Sequence, residues 1–283
     1  MRRSTAGPLQ LLGDLELAPG QLGLLWLGQS GFAVRIGGVT ALLDPFLSDH
    51  PDRRFPPPFG PGEAAGVDLI ACTHEHWDHL DAESLPALCA ASPEARVVVP
   101  QPLVELVIGL RIPAQRVIGM QPGRPLERIG LTIHAIPARH GRNPADAYGF
   151  GCEESSGLYR YLGYVIQGGG VRLYHAGDTI GYEGLSGRLR ELGVDVALLP
   201  INGRDRAREA LGIVGNLDAE EAAALAVEAG ADVVVPMHHD MFAANPGHPD
   251  RLVAAVERMN AALGVVVPAR NLPFVYTKPP GRP

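Results

Sequence analysis

The sequence predicts an α/β fold in which two β-sheets pack face to face and helices cover their outer surfaces. Three observations lead there. Short β-branched or leucine-rich runs recur, punctuated by glycine and proline. Amphipathic helical stretches flank the strand-rich segments rather than interrupting them. Histidines and carboxylates fall repeatedly just beyond strand ends, where α/β architectures gather their functional groups.

Taken in order, "LGLLWLG", "FAVRI" and "VTALLD" are strands separated by glycines, as an antiparallel meander requires. The run "VDLIACTH" is a buried strand ending at a histidine cluster. "DAESLPALCAA" reads as a helix opening at Asp81, which Pro86 would shorten or disrupt. "ARVVVP", "LTIHAIPA", "YLGYVIQ" and "VRLYHAGD" supply further strands. The last third changes rhythm, with strands "VDVALLP" and "ADVVVP" on either side of the helix "DAEEAAALAVEAG". Asp218 and Glu221 form a capping box there and Gly230 a C-cap. "PDRLVAAVERMNAAL" is a second amphipathic helix. No internal repeat, low-complexity tract or linker stands out. One domain is therefore expected over residues 1–283, with 1–20 as an N-terminal extension. The proline- and charge-rich stretch 49–63 reads as a surface loop or a lid over a pocket.

Composition narrows the function classes. The 283 residues are 46% hydrophobic, enough for a sizeable core. A formal charge of -7 argues against a nucleic-acid backbone binder. The three cysteines, Cys72, Cys89 and Cys152, form no CxxC, so a reducing, cytoplasmic setting is expected. The N-terminus lacks a secretory apolar core, and no apolar run approaches the ~20 residues of a membrane helix.

The stretch "THEHWDHLD", 73 to 81, places three of ten histidines within six positions. His74, His76, Asp78 and His79 follow a strand directly. Alternation lets His74 and His76 point to one side, and a turn then lets Asp78 and His79 address a second position. Imidazole and carboxylate together suit zinc, iron or manganese. Four such side chains cannot fill two metal sites, and more ligand-type residues follow later strands: His140, Asp178, His238 and His239. Asp44, in "LLDPF", is either a turn residue or a carboxylate orienting a ligand histidine.

H-x-H-x-D-H, a later histidine, G-D-T and a C-terminal histidine resemble the metallo-β-lactamase superfamily, over most of the chain from "WLGQSGF" to "MHHDMF". The resemblance implies an αββα sandwich of two similar halves and two divalent metal ions, zinc or manganese. It implies that His74, His76 and His140 hold one metal and Asp78, His79 and His238 the other. Asp178 would bridge them, and His239 would line the pocket. "WLGQSGF", "THEHWDHLD", "YHAGDT" and "PMHHDMF" resemble the L-ascorbate-6-phosphate lactonase branch, which shares its general pattern with N-acylphosphatidylethanolamine phospholipase D-like proteins.

The reading is therefore a metal-dependent hydrolase. A water between the metals would lose its proton near neutral pH and attack the ring carbonyl of a sugar-derived lactone such as L-ascorbate 6-phosphate. Asp78 would accept the proton and return it to the leaving alkoxide. Asn202, Arg204 and Asp205, in the "PINGRD" stretch after a strand, are candidates for substrate binding, Arg204 through its planar fork. Arg53, Arg54, Arg139 and Arg142 are further candidates for holding an anion. The expected partner is a small, anionic substrate, with neither nucleic acid nor membrane, and the resemblance implies a homo-oligomer. A phosphodiesterase or phospholipase D-like hydrolase on the same metals is the alternative. A catalytically silent binding or regulatory protein is the alternative of another class.

Overall fold

In the computed structural model, which describes residues 6–152 and 156–282, the first three runs form an antiparallel meander. Its strands are β1 (Gln21–Gly28), β2 (Gly31–Ile36) and β3 (Val39–Leu43). β4 (Leu69–Ala71), β5 (Arg96–Pro100) and β6 (Val117–Met120) continue the sheet in parallel from β3. The second sheet repeats this plan. β7 (Leu126–Arg128), β8 (Leu131–Pro137), β9 (Leu162–Gly168) and β10 (Val171–His175) are antiparallel. β11 (Val196–Pro200), β12 (Val233–Met237) and β13 (Gly264–Val265) then follow in parallel. β14 (Phe274–Thr277) crosses back and pairs antiparallel with β1, completing two seven-stranded sheets among the described residues.

Helices form the outer layers: α1 (Pro8–Gly13), α2 (Leu85–Ala91) and α3 (Val104–Gly109) on the first sheet, then α4 (Leu185–Glu191), α5 (Arg206–Ala210), α6 (Ala219–Ala229) and α7 (Pro249–Arg258) beside the second. Period-two alternation explains why the first sheet is apolar on both faces. Leu24, Trp26 and Val98 point into the core shared by the sheets, whereas Leu25, Leu27, Val97 and Val99 pack under α1, α2 and α3. The expected four-layer αββα sandwich is the observed fold.

Several local expectations hold and others shift. Asp218 and Glu221 cap α6 reciprocally, and Gly230 ends it at φ 73°. The helix expected from Asp81 begins only at Leu85, with Pro86 in the first turn, where its missing N–H costs nothing. Asp81 instead accepts hydrogen bonds from Leu47 N, Ser48 N and Ser84 Oγ. The last helix stops at Arg258, and Asn260 turns the chain at φ 49°. Of the N-terminal extension, α1 lies against β1 and β2, and residues 1–5 are outside the described residues. The stretch 49–63 holds one short 3-10 turn, and Arg54 N donates to Met241 O, tying it to the segment after β12. Among the described residues no helix is long and apolar enough to cross a membrane.

β8 and β10 each pair antiparallel with β9 and so run the same way as β11 and β12. The C-terminal ends of β8, β10 and β12 therefore meet at one edge of the second sheet. The ends of β3 and β4 supply the rest of the site from the first.

Candidate metal centre

The loop after β4 turns sharply, with His79 N and Leu80 N both donating to His76 O. This turn separates His74 and His76 from Asp78 and His79, as the spacing requires. His140 follows β8, Asp178 follows β10, and His238 follows β12 directly at φ 56°. His238 N donates to Gln29 O, which locks the two sheets together at this point.

Seven side chains, all those expected, converge into two adjacent groups. His74, His76, His140 and Asp178 form one, and Asp78, His79 and His238 the other, with the donor atoms of each group within 4.8 Å of one another. In the first, His76 Nδ1 lies 3.0 Å from His74 Nε2 and 3.2 Å from His140 Nε2. Asp178 joins the groups. Its Oδ1 is 3.3 Å from His79 Nε2, and its Oδ2 is 3.3 Å from His238 Nε2 and 3.6 Å from His140 Nε2.

Hydrogen bonds behind these rings fix which nitrogens carry protons. Asp44 Oδ2 can only accept, so His79 Nδ1, 2.6 Å away, donates to it. Thr73 Oγ1 also donates to Asp44 Oδ2, at 2.7 Å, and must therefore accept from His74 Nδ1. His76 Nε2 donates to Arg142 O at 3.2 Å. In their neutral forms these rings would present bare nitrogens, His74 Nε2, His76 Nδ1 and His79 Nε2, toward the same small volume. Asp44 is both things the sequence left open: a turn residue at φ 43° and the carboxylate orienting a histidine of the cluster.

Such convergence is unfavourable without a positive charge between the groups. His79 Nε2 and Asp178 Oδ1 are buried with no hydrogen-bond partner. Burial opposes charge on His79, yet Asp178, Asp78 and Asp44 outweigh it and hold the imidazole well above its ordinary value. Burial likewise opposes the Asp178 carboxylate, but His238 and His79 keep it well below the usual range. Burial dominates at His140, pushed down to about 3, and at His74, also well below the ordinary value. Lone pairs, carboxylates and orphaned donor atoms of this kind suit a pair of divalent cations.

A cavity of about 630 Å³ opens over the cluster, lined by His76, Asp78, Asp178 and His238. Gln29, Trp77, Phe242, Ile213, Val214 and Arg142 line much of the rest of its wall, beside the small residues Gly212, Ala243 and Ala244. His50 and Asp52, from the stretch 49–63, border it too. The structure does not bring Asn202, Arg204, Asp205 or His239 to this cavity. Arg204 forks onto Glu221 at 2.6 and 2.7 Å. Asp205 caps α5, and Asn202 bonds Asn216 and Asn245. His239 stacks on Trp26 with ring centroids 5.1 Å apart. The stretch 198–218 reaches the cavity through Gly212, Ile213 and Val214 rather than its arginines. Arg53 and Arg139 donate to backbone carbonyls, and of the four arginines Arg53, Arg54, Arg139 and Arg142 only the last lines the cavity.

Gln29 is the polar group that sequence reasoning missed. Its Nε2 donates to Asp78 Oδ2 at 2.8 Å and lies 3.0 Å from His238 Nε2. The signal was present in "LGQSGF", where a β1–β2 turn reverses the chain with Gln29 itself at φ 52°.

Comparison with known proteins agrees with this geometry. A sequence-family profile described as "Beta-lactamase superfamily domain" matches residues 40–239. A metal-dependent hydrolase of Aeropyrum pernix is 30% identical, the match covering 90% of this chain and 98% of that one. Another from Cupriavidus taiwanensis is 32% identical, covering 89% and 85%. Among solved structures, the metallo hydrolase Igni18 of Ignicoccus hospitalis superposes with a TM-score of 0.68 at 23% identity, covering 92% of this chain and all of that one.

Proposed function

The chain belongs to the beta-lactamase superfamily domain family, and from that premise we propose that this metal-dependent hydrolase opens a lactone ring. The observation that supports the reading is the pair of donor groups sharing Asp178 beneath an open cavity. His74, His76 and His140 would hold one divalent cation, and Asp78, His79 and His238 the other, with Asp178 between them. Zinc or manganese there would supply Lewis acidity and make water acidic enough to attack near neutral pH.

The chain's own residues supply the rest. Asp44 holds His79, and through Thr73 holds His74, so that both rings keep their bare nitrogens inward. Gln29 holds Asp78 by Oδ2, and Oδ1 is the atom that would take the proton of the attacking water. Returning that proton to the ring oxygen lets the alkoxide leave as an alcohol. The product is a hydroxy acid, a small anion formed beside the cations.

The wall of the cavity carries few cationic groups to hold a phosphoryl group. Its single arginine, Arg142, is already paired through Nε with Glu75 at 3.0 Å. A sugar-derived lactone such as L-ascorbate 6-phosphate would have only that group to meet its phosphate. The test is to assay the protein, reconstituted with zinc or with manganese, on a lactone panel that includes L-ascorbate 6-phosphate, beside bis(p-nitrophenyl) phosphate. Ring opening that disappears on chelation and returns with metal is the expected result. Turnover of the phosphodiester alone would transfer the site to the second reading.

A further inference from the structure

Trp77 sits in the chain between His76 and Asp78, yet the residue is 50% exposed, the one exposed large apolar residue of the cavity lining. It is nonetheless held firmly. His50 stacks on it with ring centroids 4.5 Å apart at 9°. Phe46 and Phe242 meet it at 5.2 and 5.4 Å and at steep angles, and Arg53 lies over the ring of Phe46. Ile213 and Val214 add aliphatic surface to the same wall. The charged lining besides the metal-site carboxylates is the acidic Asp52 and Arg142, whose Nε pairs with a Glu75 that Arg160 also holds. Water is therefore the poorest filling for this part of the cavity, and a second phosphate-type anchor is missing from it.

Resting on the lactonase reading, we propose that Trp77, Phe242, Ile213 and Val214 form a subsite for an uncharged alkyl or aryl arm of the substrate. Trp77 lines the same cavity as the donors His76 and Asp78, so an arm laid on it would leave the carbonyl it carries in the space those donors face. A rigid aromatic platform loses little freedom on binding, so burial of the arm is expressed as affinity. Neutral lactones bearing an apolar substituent are then better substrates than phosphorylated ones.

The experiment measures binding and turnover separately. Zinc-loaded protein is titrated calorimetrically with butanoate and octanoate, carboxylates that cannot be hydrolysed, and with inorganic phosphate. Tryptophan emission is followed in parallel: of the two tryptophans, Trp26 is buried, so Trp77 reports occupancy. Octanoate is expected to bind at least about tenfold tighter than butanoate, because each buried methylene favours transfer from water. Trp77→Leu, Phe242→Ala and Ile213→Asn should each flatten that difference; the last two leave the metal loop untouched, and metal content is checked in all three. In turnover, kcat/KM should climb from γ-butyrolactone to γ-decalactone. Chain-length dependence of binding with no lactone opened would support the subsite while removing the lactonase reading. Lactone opening without chain-length dependence, or phosphate binding tighter than octanoate, would overturn the subsite.

Discussion

Asp44 Oδ2 lies 2.6 Å from His79 Nδ1, and both side chains are fully buried. Through Thr73 the same carboxylate also sets His74, so one acid outside the lining of this cavity orients a ring in each donor group. Asp44→Asn leaves one oxygen and one NH2 group where two carboxylate oxygens accept from Thr73 N, Thr73 Oγ1 and His79 Nδ1, so one side loses its acceptor and the hold on the His79 tautomer weakens. Metal affinity at the Asp78, His79 and His238 group is expected to fall by about ten- to a hundredfold. Competition with a chromophoric chelator measures this. Unchanged affinity would mean that Asp44 is only a turn residue.

Gly177, in the G-D-T motif, has φ 59°, and a Cβ there would stand 2.8 Å from Thr73 Cβ and Oγ1. Alanine at this position forces apart the loop carrying Asp178 and the residue that relays Asp44 to His74. Gly177→Ala should cost about 1–3 kcal/mol in urea unfolding, as overpacking does. Stability equal to the parent's would show that the two loops are free to move apart.

Burial holds His140 down to about 3, so the folded chain keeps this ring neutral where the unfolded chain protonates it. The unfolded state then binds more protons, and stability rises with pH across the interval. Metal-free protein should accordingly lose stability as pH falls from about 6.5 toward about 3, by up to ~1.4 kcal/mol per pH unit from this group. His140→Gln should show a shallower slope in denaturant titrations at stepped pH. An identical slope would assign the acid sensitivity elsewhere.

Gln29 Nε2 donates to the carboxylate proposed to move the proton. Gln29→Leu leaves every donor of the two groups in place. It should lower kcat by about ten- to a hundredfold, the worth of a hydrogen bond to a charged group, with metal content retained. Loss of metal together with activity would instead make Gln29 part of what holds the ions.

The layers and the four donors from His74 to His79 could be read from the chain because both follow local rules, and the resemblance to the superfamily implied the other three, His140, Asp178 and His238. Alternation marks which strands are covered on two faces, and a strand end followed by H-x-H-x-D-H needs no distant information. What could not be read depends on pairing across long separations. β14 pairs with β1, more than 240 positions earlier, and "FVYT" carries no mark of that partner. Arg204 resembled an anion ligand by type and place, but Glu221, already known as a helix cap, takes its fork. The cavity wall instead includes Trp77, Ile213, Val214 and Phe242, ordinary core-type residues whose place beside the donors only the folded chain reveals.

The most direct test of the central claim is anomalous diffraction from crystals of zinc-loaded protein, recorded above and below the zinc edge. Two peaks are expected, one ringed by His74, His76 and His140 and one by Asp78, His79 and His238, with Asp178 touching both. A single peak, or two peaks remote from Asp178, would contradict it.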